Sequence, residues 1–138
     1  MGTKHPTLAE AMKQTSKKEK QVYFEVRRAL QDAGFYQPME WIQMGREPVQ
    51  GVEGFWVHSQ QTMQSKISFG HPDMYVCLAG SAMWLAVELK ARKIGKRGGI
   101  LKPTLSDEQK FMHAAGSIVI VQGAWQVPEL IELLKGAR

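Results

Sequence analysis

The sequence predicts an α/β fold in which a mixed β-sheet is flanked by helices, within one domain that spans residues 1–138. Three observations predict it. Apolar, β-prone segments alternate with stretches whose apolar residues recur at helical spacing. Two of the β-prone segments are only four residues apart, which is typical of an antiparallel hairpin. A later helix joins two strands, and such a connection normally makes the strands parallel.

The chain begins with two predicted helices, at residues 7–12 and 16–33. The second would end at Gly34, because glycine readily takes the left-handed conformation that closes a helix. Glu19 lies within the apolar face of this helix and Glu25 lies nearer its edge, although burying an acid is costly. The apolar positions that define this face are Val22, Val26, Ala29, Leu30 and Ala33.

The segments that follow would build the sheet. Residues 39–44 and 55–58 are candidate strands, and the polar stretch 59–68 is a candidate substrate-facing loop. The predicted hairpin is apolar on both faces, which favours a sheet that is covered on both sides. The order of the core is α-β-β-β-α-β, which leaves one of the four candidate strands before the helix at 106–115 outside this core, and a final helix follows. The remaining elements are hairpin strands at 74–78 and 83–89, a helix at 106–115, a strand at 117–122 and a last helix opened by Pro128.

One constellation within the hairpin points to metal chemistry. Asp73 follows Pro72 at the start of the first strand, and Glu88 and Lys90 lie at the end of the second. With a two-residue turn at Gly80-Ser81, opposed residues share an index sum of 161, so Asp73 faces Glu88 across the ladder. Lys90 projects from the same face, because side chains alternate along a strand.

Two opposed acids repel each other, and a bound cation reverses the sign of that interaction. Ligands that are all oxygen and leave positions open suit Mg²⁺ or Mn²⁺ rather than zinc. The alternative is that Asp73 only begins a strand, while Glu88 and Lys90 form the solvated end of its partner. A register slip of one residue would also send Asp73 to the other face.

Two further polar residues have competing interpretations. Ser106 and Gln109 fit a capping box, and Ser16 and Glu19 fit the same pattern. As caps, Gln109 and Glu19 would satisfy the first backbone amides of their helices. As site residues, Glu19 would add an acidic ligand and Gln109 would bond Lys90 or a bound phosphate.

The composition is that of a globular protein with a basic surface. Hydrophobic residues make up 43% of the chain, enough for a core, and the net charge is +5 at a pI of about 9.4, which favours a polyanionic partner. No apolar run is long enough to span a membrane, and the first residues lack the apolar core of a signal peptide. Cys77 is the single cysteine and forms no intrachain disulfide, so a cytoplasmic location is expected.

Positive charge gathers directly after the hairpin. Four basic residues are interspersed there with glycines, which predicts a mobile basic loop. Beside a metal site, such a loop would hold a phosphate backbone. The alternative is an ordinary solvated loop. The four residues are Arg92, Lys93, Lys96 and Arg97.

Taken together, these motifs resemble the VRR-NUC domain, a branch of the PD-(D/E)xK nuclease superfamily. The resemblance runs from about Glu19 to about Val121, and Glu19 stands where the family's opening helix has its acid. The motifs that carry it are Gly70-x-Pro72-Asp73, then Glu88-Leu89-Lys90, then Leu105-Ser106-x-x-Gln109, then Gly116 before an apolar strand.

The resemblance implies a restriction-endonuclease-like fold and a Mg²⁺- or Mn²⁺-dependent DNA endonuclease. A chain with this domain alone is similar to the stand-alone phage and bacterial members, which resemble archaeal Holliday-junction resolvases. That likeness implies a homodimer that cuts branched or flapped DNA in the cytoplasm of a bacterium or a phage-infected cell. One departure is the segment Leu101-Lys102-Pro103-Thr104, where the family often has a glycine-rich, more basic entry to the next helix.

The resemblance also implies the metal ligands. Asp73 and Glu88 would bind the cation, with the backbone carbonyl of Leu89 as a further ligand. Glu19 would complete the acidic site, directly or through water.

The remaining site residues would act on the substrate. Lys90 would orient or help deprotonate the attacking water, and Gln109 would position Lys90 or the phosphate.

Two functions of other classes fit the same residues. A non-catalytic nucleic-acid-binding module would keep the fold and bind DNA in a salt-sensitive way without cleaving it. An apolar-cored interaction protein would carry the same acids only as the ends of its strands.

Overall fold

The computed structural model describes residues 16–47, 51–59 and 72–136 of the chain. Within these residues a five-stranded mixed sheet is flanked by helices, so the predicted α/β class is confirmed. In chain order the elements are α1 Glu19–Asp32, β1 Phe35–Tyr36, α2 Pro38–Gln43, β2 Gly54–His58, β3 Met74–Leu78, β4 Trp84–Leu89, α3 Asp107–Ala114, β5 Val119–Val121, a 3-10 turn Ala124–Gln126 and α4 Val127–Gly136.

The strands lie in the order β1-β2-β3-β4-β5. The β1–β2 pair is parallel, the next two pairs are antiparallel, and β4 pairs parallel with β5. The β4–β5 pair is the one predicted from the connection through α3. The predicted β3–β4 register is also present, because Met74 pairs with Val87 and Cys77 with Trp84, and each pair sums to 161.

The hydrophobic core lies on one face of the sheet, against α1 and α4. Alternate strand residues reach this face, and Trp56, Met74 and Val87 are fully buried there. They belong to one cluster with Val22 of α1 and Leu130 of α4. Burying one such side chain stabilises the fold by about 1.5–3 kcal/mol, so this cluster fixes both helices on the sheet.

One predicted strand is wrong, because residues 39–44 fall largely within the short helix α2, which Pro38 opens. Proline suits the first turn of a helix, since its φ is already helical and the amide that it lacks would have no partner there. Trp41 is buried, whereas Met39 and Ile42 are exposed. The apolar run therefore reflects a helix that is anchored by one aromatic side chain.

The hairpin turn differs in detail from the prediction. Its centre is Ala79 and Gly80, and the amide of Ser81 donates to the carbonyl of Leu78 at 3.1 Å. Gly80 has a φ of 81°, which glycine adopts without strain, and it occupies the second central position of the turn rather than the first. Because β4 begins only at Trp84, a longer connection preserves the predicted register.

The second face of the sheet is covered less than the sequence predicts, as judged from the described residues. Trp84, which lies on the same face as Glu88, is 46% exposed. The helix α3 reaches this face through Gln109, which contacts Glu88, but none of its residues is buried. The face that carries Glu88 is therefore the more open one.

Other predictions lie outside the described residues or shift only at their ends. The helix at 7–12, the polar residues 60–68, Gly70 and His71 are not among the residues that the structure describes. The remaining helices and strands are present, with small shifts at their ends. No helix in the described part of the chain is both long and apolar enough to cross a lipid bilayer.

Candidate metal centre

Two carboxylates face each other across the β3–β4 ladder. The pair beyond Met74 and Val87 is Asp73 and Glu88, so both side chains project from the more open face of the sheet. The Oδ2 atom of Asp73 also accepts a hydrogen bond of 2.8 Å from the backbone amide of Leu89. The hairpin therefore holds Asp73 against the strand that carries Glu88.

Glu88 is a buried acid, with 5% of its surface exposed. Burial, followed by a hydrogen bond with Asp73 and the negative charge of that residue, raises the pKa of the Glu88 carboxyl from 4.5 to about 8. The charge of Glu19 adds to this shift, whereas the charge of Lys90 opposes it. Without a metal, the pair of acids therefore retains a proton at neutral pH.

Gln109 connects the start of α3 to this pair. The side-chain Oε1 of Gln109 accepts from the backbone amide of Ser106 at 3.0 Å, and the backbone amide of Gln109 donates to Ser106 Oγ at 3.2 Å. The predicted capping box is therefore present. The same side chain donates from Nε2 to Oε1 of Glu88 at 2.9 Å. Capping and site contact are compatible because the amide oxygen serves one and the amide nitrogen serves the other. The contact is with Glu88, whereas Lys90 or a phosphate was predicted.

Glu19 is not a helix cap, so that interpretation is wrong. The N-cap of α1 is Lys18, and its amide donates to Oε1 of Gln21 at 3.0 Å. The helix begins at Glu19 rather than at residue 16, which moves the capping positions along the chain. Although Glu19 is exposed as a residue, partial burial of its carboxyl and the charge of Asp73 raise its pKa, and Lys90 lowers it. Glu19 thus lies within electrostatic range of the paired acids.

Lys90 directly follows β4 and brings a positive charge to the acids. Its backbone amide donates to the carbonyl of Val121 at 3.0 Å, which continues the pairing with β5. The positive charge of its ammonium group opposes the rise in the pKa of both Glu19 and Glu88. Asp73, Glu88 and Gln109 are therefore in contact at one end of the β3–β4 hairpin, and Lys90 and Glu19 lie within electrostatic range of the two acids.

The donor set fits a hard divalent cation that is held by few protein ligands. The buried Oε2 of Glu88 accepts no hydrogen bond from a described residue. Among the described residues, no three acidic, histidine or cysteine side chains lie close enough together to form a metal site by themselves. Mg²⁺ is commonly bound through one or two carboxylates and keeps several waters. The pair of Asp73 and Glu88 fits this mode, and Glu19 fits a contact through water.

Arg92 has a structural role, so its predicted contact with nucleic acid is wrong. Its side chain is fully buried and bonds the carboxylate of Glu25 at 3.0 and 3.2 Å through two guanidinium nitrogens. The same guanidinium donates to the carbonyl of Gln122 at 3.2 Å and lies 5.2 Å from the ring centre of Trp125. Glu25 also accepts from the amide of Ala124 at 2.9 Å. This pairing explains an acid at the edge of the apolar face of α1.

The remaining predicted basic residues lie on an ordered hairpin instead of the mobile loop that the glycines predicted. We call residues 93–101 the basic hairpin. Ile94 and Ile100 form a bridge across it, and two backbone hydrogen bonds of 2.7 and 2.9 Å close its turn. The exposed cations on this hairpin are Lys93, Lys96 and Arg97.

Two residues near the site were not predicted to take part in it. Gln122 donates from Nε2 to the carbonyls of Ala91 and Leu101, each at 3.3 Å, and so joins the segment before the basic hairpin to the last residue of that hairpin. A glutamine at the end of a strand carries no local signal for such a contact. Lys102 lines a cavity next to Lys90. The one feature of the sequence that pointed to this region was the departure of segment 101–104 from the VRR-NUC pattern.

Comparisons with protein-family models, curated proteins and solved structures find no match for this chain. Its function is therefore inferred from the chemistry of the site. Paired acids beside a lysine can hold a divalent cation and act on a bound water or phosphate.

Proposed function

We propose that this chain is a Mg²⁺- or Mn²⁺-dependent DNA endonuclease. The observation that carries the proposal is the opposition of Asp73 and Glu88 on the β3–β4 hairpin, with Lys90 two residues beyond Glu88. Two adjacent acids are unfavourable in the metal-free chain, and a cation between them offsets that repulsion. A lysine beside the cation suits phosphodiester hydrolysis, in which a water and a phosphate must both be oriented.

Each residue has a role that follows from its contacts. Asp73 and Glu88 hold the cation, which when bound lowers the pKa of a water and neutralises charge on the phosphate. Gln109 orients the Glu88 carboxylate through its hydrogen bond of 2.9 Å. Lys90 holds the attacking water or the scissile phosphate, and Glu19 supports the cation through a water.

The proposed substrate and assembly follow the resemblance to VRR-NUC domains. The order α-β-β-β-α-β is present if β1 and α2 are counted as additions, which supports a restriction-endonuclease-like fold. The exposed cations of the basic hairpin suit a DNA backbone close to the site. We therefore propose a homodimer that acts on branched or flapped DNA.

Cleavage of a panel of labelled DNAs tests this proposal. Four-way, flapped, single-stranded and plain duplex DNAs are incubated with the purified chain in Mn²⁺, in Mg²⁺ and in EDTA. The wild type should cut branched DNA only with a metal. Glu88→Gln and Lys90→Met should each lower kcat by about 10²-fold or more, because each removes a group that acts on the reacting atoms. Lys135→Met is the matched control, since it removes an exposed lysine on α4 and should cleave as the wild type does.

Two outcomes would contradict the proposal in different ways. Equal cleavage by the wild type and both site variants would show that the site lies elsewhere. Salt-sensitive DNA binding without cleavage under any metal condition would favour the non-catalytic binding module instead.

A further inference from the structure

A cavity of about 210 Å³ lies beside the proposed metal centre. Glu19 and Lys90 form the wall that it shares with the centre. Its other walls come from the start of the basic hairpin and from the segment that differs from the VRR-NUC pattern. These walls contribute the side chains of Lys93, Lys102 and Thr104.

The walls of this cavity are tied to each other. The amide of Leu101 donates to the carbonyl of Lys93 at 2.9 Å. The side-chain amide of Gln122 bridges the carbonyls of Ala91 and Leu101, each at 3.3 Å. Pro103 also lines the cavity and restricts the backbone of its wall. A cavity whose walls are fixed in advance loses little conformational entropy when a ligand enters.

The cavity carries an excess of positive charge. Three lysines and one acid line it, and among the described residues no carboxylate forms an ion pair with Lys93 or Lys102. Glu19 lies on the wall shared with the metal centre, where Lys90 counters its charge. The uncompensated ammonium groups and the hydroxyl of Thr104 are donors suited to phosphate oxygens.

We propose that this cavity binds a phosphate of the substrate strand next to the scissile phosphate, through Lys93, Lys102 and Thr104. The inference rests on the proposed function, because the ligand is a second phosphate of the same nucleic acid. Lys90 borders both the cavity and the paired acids, so a strand bound at the acids brings its neighbouring phosphate here. That phosphate is an internal diester or a monoester at a strand end, and both present the same kind of oxygen atoms.

Titration with inorganic phosphate in EDTA tests this subsite without catalysis. Backbone amide resonances are followed, and saturable shifts are expected at Lys93 and Thr104. Combining Lys93→Gln with Lys102→Gln should weaken phosphate binding by about tenfold or more, because each lysine supplies a charge-assisted hydrogen bond. Combining Lys96→Gln with Arg97→Gln removes equal charge from the hairpin turn, outside the cavity, and should change phosphate affinity by less than about twofold.

Short oligonucleotides with a terminal phosphate or a terminal hydroxyl then identify the source of the phosphate. Tighter binding of the phosphorylated strand, lost in the Lys93 and Lys102 double variant, indicates a strand end. Equal binding of both strands, weakened in that variant, indicates an internal phosphate. The subsite is refuted if phosphate causes no saturable shift at the cavity, or if the double variant binds phosphate as tightly as the wild type.

A parallel cleavage assay in Mn²⁺ separates this inference from the proposed function. If the wild type cleaves DNA but phosphate does not bind at the cavity, only the subsite is overturned. If the wild type binds phosphate there but cleaves no DNA, the nuclease proposal is overturned, and the cavity is a phosphate site without a scissile phosphate beside it.

Discussion

The buried carboxyl group of Glu88 meets Gln109 on one side and Asp73 on the other. The direction of the Gln109 N–H is fixed, because its amide oxygen is engaged by Ser106 in the capping box. Oε2 of Glu88 has no donor among the described residues, so either a proton or a cation must neutralise this group. An acid that is protonated without a metal and ionised with it makes metal affinity rise with pH.

The pH dependence of stability tests the state of Glu88 in the metal-free chain. Its pKa rises from 4.5 in the unfolded chain to about 8 on folding, so folding takes up a proton between these values. The resulting stabilisation is complete below the lower value and is lost as the pH rises through the upper one. In EDTA, the melting temperature of Glu88→Gln relative to that of the wild type should therefore rise as the pH increases from 6 to 9. A gain of about 4 °C or more corresponds to roughly 1 kcal/mol in a domain of this size.

Glu132→Gln is the matched control for this measurement. Glu132 is 75% exposed on α4, so it lacks the burial and the neighbouring acid that act on Glu88. Glu132→Gln makes the same chemical change outside the site, so it should leave the pH dependence of the wild-type melting temperature in place. If the difference in melting temperature between Glu88→Gln and the wild type is also constant with pH, Glu88 is already ionised at pH 6. Burial then does not raise its pKa as proposed.

At the scale of secondary-structure elements, the β3–β4 hairpin could be predicted because its determinants are local. Two β-prone runs joined by a short connection restrict the register, even though the turn centre lies at Ala79 and Gly80 instead of Gly80 and Ser81. The helix α2 could not be predicted in this way. A short apolar run fits a strand or a helix, and the burial of Trp41 in the tertiary fold decides between them.

The segment after β4 depends on partners that are distant in sequence. Arg92 and Glu25 are 67 positions apart, and nothing local to either residue indicates the other. The backbone of Arg92 also pairs with Lys17 at 2.7 and 2.8 Å. This bridge brings the start of α1, and therefore Glu19, to the end of β4 where Lys90 lies. The buried ion pair and the bridge thus position the outer part of the site.

Arg92→Met should destabilise the protein by about 3 kcal/mol, because it leaves the carboxylate of Glu25 without its buried partner. The free energy of unfolding is measured in urea. Arg97→Met makes the same chemical change on the exposed turn of the basic hairpin and should stay within about 0.5 kcal/mol of the wild type. Equal stability of both variants would mean that Arg92 is not a structural anchor.

At the scale of the whole molecule, the sequence predicted the residues of the candidate metal centre better than the structure around them. Asp73, Glu88 and Lys90 lie on one hairpin, so alternation and register predict that they share a face. The cavity beside them depends on how Gln122 joins Ala91 to Leu101 at the end of the basic hairpin, which is a tertiary contact without a sequence pattern. The sequence also predicts the total charge of the protein but not where that charge lies on the surface. The net charge of +5 does not indicate which cations are exposed, and Arg92 is buried in an ion pair.

Salt dependence of DNA binding tests whether the exposed turn of the basic hairpin faces the nucleic acid. Combining Lys96→Gln with Arg97→Gln should reduce the slope of log K against log salt by about 1–2, since each phosphate contact contributes about 0.9 on duplex DNA. Fluorescence anisotropy in EDTA measures this slope without cleavage. Combining Arg28→Gln with Lys135→Gln removes one arginine and one lysine from exposed positions on α1 and α4, and should leave the slope unchanged. Equal slope changes in both double variants would mean that DNA responds to the total charge of the protein and does not contact this hairpin.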